Sequence, residues 1–110
     1  LSMPAQRALL AETVKALPDA GKMLDQAVAA WSAGDADRLG ALINDDVAAS
    51  PEVAQALLFS RNQRWAEWIA RRMARPGTVF VAVGAGHLAG SGGVQDELAK
   101  RGMKVDRVRY

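Results

Sequence analysis

The uncharged run Thr78-Val79-Phe80-Val81-Ala82-Val83 leads directly into Gly84-Ala85-Gly86-His87-Leu88-Ala89-Gly90. The run is rich in β-branched and aromatic residues, and its spacing predicts a buried strand over about 78–84. The loop after it holds His87, the sole histidine of the chain. Glycines allow sharp turns and close backbone approach. An imidazole presented there can bind a metal or move a proton near neutral pH.

The sequence after the loop reads as a helix and then a second strand. Residues from about Gly93 to Lys100 read as a short helix with Val94 and Leu98 inward, and Gly102 stops it. Lys104-Val105-Asp106-Arg107-Val108-Arg109-Tyr110 alternates and reads as a second, half-exposed strand. Strand, helix and strand at this spacing predict a βαβ unit over about 78–110, with its two strands parallel.

Before that unit the periodicity is helical, over about residues 3–75. Ser2 and Pro4 open a helix to about Leu17, and Pro18 ends it and opens the next. Met23, Leu24, Ala27, Val28 and Trp31 share one face, and Gly34 stops that helix. Asp35 caps a short third helix, which Asn44-Asp45-Asp46 breaks. Ser50-Pro51-Glu52 starts a fourth. Arg61-Asn62-Gln63-Arg64 interrupts its apolar run, and Asn62 is a candidate cap for a fifth, through Met73. Pro76-Gly77 then ends the helical part. Trp31, Trp65 and Trp68 read as core anchors.

The expected fold class is therefore α/β: a mostly helical N-terminal three-quarters followed by one βαβ unit. With 110 residues there is one domain and a modest core. Two parallel strands do not make a complete sheet. A partner chain or further sequence is expected to complete it, and Leu1 in place of an initiator methionine fits a fragment. The isolated chain is expected to self-associate to cover its strand edges.

The net charge is +2, too weak to imply nucleic acid as a partner. Arg71, Arg72 and Arg75 sit near a helix C-terminus, where positive charge is favoured without any ligand. There is no cysteine, so disulfides and thiolate metal sites are excluded. No run is long and apolar enough to cross a membrane.

The glycine loop supports three readings. Gly84-x-Gly86-x-x-Ala89 after a strand matches a dinucleotide fingerprint, and Asp106 lies about twenty residues on, as a ribose-binding acid does. Against this, Gly90-Ser91-Gly92-Gly93 breaks the helix whose N-terminus must meet the pyrophosphate. A second reading makes the loop a tight turn and His87 a hydrogen-bonded turn residue.

The third reading is a resemblance. Ala30-Trp31-x-x-Gly34-Asp35, Arg61-Asn62-x-x-Trp65, Gly84-Ala85-Gly86-His87-Leu88-x-Gly90 and Leu98-x-x-x-Gly102-x-x-Val105 follow in order. Together they resemble the C-terminal part of the TraB/GumN family, which includes the Tiki metalloproteases. The resemblance implies a metal-dependent hydrolase in which two G-x-x-H motifs and a glutamate bind a divalent metal. Gly84-Ala85-Gly86-His87 corresponds to the second motif, with Gly90 a further motif glycine. It implies His87 as one metal ligand and Arg61 or Asn62 as a group that orients the ligand or stabilises an oxyanion. A helix cap and a solvated charge are the plainer roles for Asn62 and Arg61, and Glu67 reads as a surface residue.

The chain has no second histidine, so the first motif and the glutamate are expected in a missing N-terminal part of the same protein. One imidazole does not hold a divalent ion tightly. The chain alone is expected to be inactive and to bind no metal tightly. A non-catalytic interaction or scaffold domain is the alternative. By the same resemblance, the periplasm or cell envelope is the expected location.

Overall fold

A computed structural model describes residues 1–48 and 50–109. The chain is helical up to Met73. α1 spans Met3–Ala16, and a 3-10 turn at Leu17–Asp19 passes the chain to α2, Ala20–Ser32. α3 spans Ala36–Ala48 and α4 spans Pro51–Ala54. α4 runs without a break through a π-helical turn, Gln55–Phe59, into α5, Ser60–Met73. α6, Val94–Ala99, follows the glycine loop.

Several helix ends follow their residue chemistry. The Ser2 side chain accepts from the Ala5 amide, and Asp35 Oδ1 accepts from the Arg38 amide at 3.0 Å. Glu52 at the start of α4 accepts from both the backbone amide and the hydroxyl of Ser2, tying α4 to the entry of α1. No helix of the described residues is long and apolar enough to cross a membrane.

The structure corrects the expected fold class. Among the described residues there is no strand, so the chain is all-helical and contains no βαβ unit. Both segments expected to be strands form neither helix nor ladder, and Tyr110, the end of the second, lies outside the described residues. The reason lies in the partners. A ladder needs a neighbouring backbone, yet Arg107 Nη2 donates to Gly34 O at 2.6 Å. That bond holds the second segment beside the α2–α3 turn, where Val108 and Arg109 also line the surface. Val79 and Val83 are half-buried, whereas Phe80 is 91 % exposed. The apolar run thus lies in solvent along one side.

Three local expectations also change. Asn44-Asp45-Asp46 does not end α3, which continues to Ala48. Asn62 caps nothing: it lies inside a helix that is continuous from Pro51 to Met73. Trp31 and Trp68 are exposed rather than core anchors, while Trp65 is half-buried.

The core that matters for the site lies between α5 and α6. Ala66, Val94 and Leu98 are buried there, with Trp65, Ile69 and Met103 packed around them. Side chains on one face of α5 thereby meet the loop that enters α6. A second close contact is made by α3. Gly40 faces Ala89, and a Cβ on Gly40 would stand 2.4 Å from the Ala89 Cβ.

That contact predicts opposite outcomes for two glycines within helices. Gly40→Ala is expected to lower stability by about 1–3 kcal/mol, since neither backbone can yield cheaply. Gly21→Ala in α2 meets no atom within 4 Å. It is expected to raise stability by roughly 0.5–1 kcal/mol through helix propensity. Urea unfolding of the two variants checks this, and equal midpoints would contradict the close packing.

Candidate functional site

The glycine loop is held from two sides. From α3, Asn44 Nδ2 donates to Gly86 O at 2.9 Å and lies 3.4 Å from Ala89 O. A Cβ on Gly86 would meet Asn44 Oδ1 at 2.7 Å and Ile43 Cγ2 at 2.9 Å, so a side chain at the third motif position would displace these α3 contacts. At Gly84 a Cβ would touch only the His87 ring, at 3.8 Å, and Gly90 turns the chain at φ +72°. Residues Ala85–His87 form a single 3-10 turn that lifts the imidazole off the backbone.

From α5, Asn62 reaches the loop. Its Nδ2 donates to Gly92 O at 2.7 Å, and its Oδ1 lies 2.8 Å from His87 Nδ1. Asn62 is 2 % exposed, so its own amide is shielded from bulk water. The π-helical turn at Gln55–Phe59 precedes this residue and carries Phe59 against Gly92. A Cβ on Gly92 would meet the Phe59 ring at 2.9 Å, and its φ of +76° lies in the left-handed region. Gly92 also donates its N–H to Asp96 Oδ2 at 2.8 Å.

Two more side chains surround His87. Trp65 meets the imidazole edge-to-face, with ring centroids 4.7 Å apart. The Arg61 guanidinium lies 5.9 Å from the centre of the Trp65 ring. Burial pushes the His87 pKa down, and the Arg61 charge lowers it further. Both effects favour the neutral imidazole, the form that ligates metal or accepts a proton. Glu67, one turn on, is exposed and pairs with Arg71 at 2.5 Å, apart from this cluster.

All three of Arg61, Asn62 and His87 thus meet in one place, joined by Trp65. What sequence reasoning missed are Asn44, Gly92 and Asp96. One signal existed for Asn44: a small polar residue continuing the inward face of α3. Nothing in the sequence marked Gly92 as the acceptor of Asn62. The described residues contain no group of three His, Asp or Glu placed to hold a metal ion. The described residues therefore offer a divalent metal one imidazole and not a complete donor set.

This geometry accompanies a match to known proteins. A family model described as the TraB/PrgY/gumN family matches residues 1–107. The chain belongs to that family. Searches of curated proteins and of solved structures find no match.

The lowered His87 pKa sets a pH dependence. As pH falls through the ordinary value of 6.5, the unfolded chain takes up its proton before the folded one. Stability is expected to decline over that range, down to the folded pKa. Proton NMR titration of the single imidazole should give a pKa below 6.5, and Arg61→Gln should bring it closer to 6.5. An unchanged value in the variant would remove Arg61 from the site.

Proposed function

We propose that this chain forms the C-terminal part of a metal-dependent hydrolase of the TraB/PrgY/gumN type, acting on a peptide or related bond. The observation that carries the reading is convergence. Arg61, Asn62 and Trp65 from α5 converge on the His87 imidazole of the glycine loop.

A divalent metal, when bound, would supply Lewis acidity and a nucleophile active at neutral pH. The chain's own residues have the following roles in this reading. His87 supplies one ligand nitrogen. Arg61 provides positive charge beside it, placed to stabilise an oxyanion. Asn62 orients the ring. Trp65 shields one side of the imidazole from water, which favours the neutral ligand. A catalytic metal takes about three protein ligands, so the others come from residues outside these 110. The chain alone is accordingly inactive and binds no metal tightly.

Metal content and peptide hydrolysis of the complete family domain, with and without His87→Ala, test this. Loss of bound metal together with activity is expected in the variant. Unchanged metal and activity would sink the hydrolase reading. A complete domain that holds no metal and cleaves nothing would favour an interaction or scaffold role.

The isolated chain is also proposed to self-associate. Phe80 is 91 % exposed, and the backbone around it has no ladder partner among the described residues. Such open, apolar backbone pairs readily with a second copy. Light scattering is expected to show a mass above the 11.7 kDa of one chain. A monomer at high concentration, or an unchanged mass distribution in Phe80→Lys, would contradict it.

A further inference from the structure

We infer that Asn62 is a positioning residue that commits the neutral His87 ring to its Nδ1–H form, and that Gly92 and Asp96 set this choice from behind it. The argument uses donor and acceptor types alone. A carboxamide has one donating end and one accepting end. The Gly92 carbonyl can only accept, and it lies 2.7 Å from one end of the Asn62 amide, which is therefore the NH2 group. The other end is then a carbonyl oxygen, and it lies 2.8 Å from His87 Nδ1. An oxygen of that kind can only accept, so Nδ1 must carry the hydrogen. Reversing the amide would press two acceptors together at Gly92. Asn62 is 2 % exposed, so water offers neither end a substitute.

The choice is fixed one step further back. Gly92 holds its orientation through its own N–H, which donates to Asp96 Oδ2 at 2.8 Å. Phe59 occupies the space a Cβ would need there. A line of contacts thus runs from the Asp96 carboxylate through Gly92 and Asn62 to the imidazole. In a neutral imidazole only one nitrogen carries hydrogen, so the lone pair lies on Nε2, across the ring from Asn62. This inference deepens the hydrolase reading and rests on it for its purpose: Nε2 becomes the ligand atom, oriented as partners of metal-bound histidines orient their rings. The tautomer itself needs no metal.

The test is the long-range proton–nitrogen correlation spectrum of the single histidine, recorded on the 15N-labelled intact chain with chelator at about pH 8, above the ordinary histidine range. Nδ1 is expected in the protonated range and Nε2 in the lone-pair range. The Nδ1–H form should lead by at least about tenfold, the ratio that about 1.4 kcal/mol gives. A spectrum dominated by Nε2–H, or by equal populations, would overturn the inference. Asp96→Asn keeps the side-chain shape but weakens the acceptor for Gly92 N–H, and a several-fold lower tautomer ratio with an unchanged circular dichroism spectrum is expected. An unchanged ratio would remove Asp96 from the line. Because the measurement is made without metal, its failure is separable from failure of the hydrolase reading, which the metal content of the complete domain reports.

Discussion

The buried carboxamide of Asn62 is the contact on which the arrangement of this chain depends. One side chain satisfies a loop carbonyl and a histidine nitrogen together, and it does so from inside a helix. A buried amide left without partners costs about 1–3 kcal/mol per group, so the loop and the helix are held to one mutual placement. The α5–α6 core around Ala66, Val94 and Leu98 supplies the attraction, which is non-directional. Asn62 supplies the direction. Asn44 adds a second tie from α3 through its donating end alone, Nδ2 to Gly86 O.

Glycine has a particular use in this arrangement. Gly40, Gly86 and Gly92 each face an atom that a Cβ would strike at under 3 Å. Close approach brings α3, the π-helical turn and the glycine loop near enough for short polar side chains to reach backbone carbonyls. The motif glycine Gly84 is different, because a Cβ there meets only His87 at van der Waals distance. The spacing between Gly84 and His87 therefore reflects the 3-10 turn they share, while the packing constraint falls on Gly86 and Gly92.

Much of the helical part was legible. Ser2, Asp35 and Pro51 open helices as their chemistry dictates, and Gly34 follows α2 at φ +66°. Local rules failed where a polar side chain had a distant partner. Asn44 and Asn62 are poor interior helix residues by propensity, so the sequence suggested a break and a cap. Each instead bonds to the glycine loop, 30 or more residues away, and the helix continues through it. The strands failed for the complementary reason. Residues 78–84 have strand composition, but composition does not supply a neighbouring backbone, and the described residues provide none. Arg61, Asn62 and His87 could be singled out because they occupy ordered motifs of the resemblance. Their meeting point became visible only with the packing of α5 on α6.

A double-mutant cycle on Asn62→Ala and His87→Ala, read by urea unfolding, measures the link between helix and loop most directly. The account predicts that the two losses are not additive, with a coupling of about 0.5–3 kcal/mol, as expected for side chains in contact. Losses that add to within about 0.3 kcal/mol would show that the two residues do not act on each other, and would contradict it.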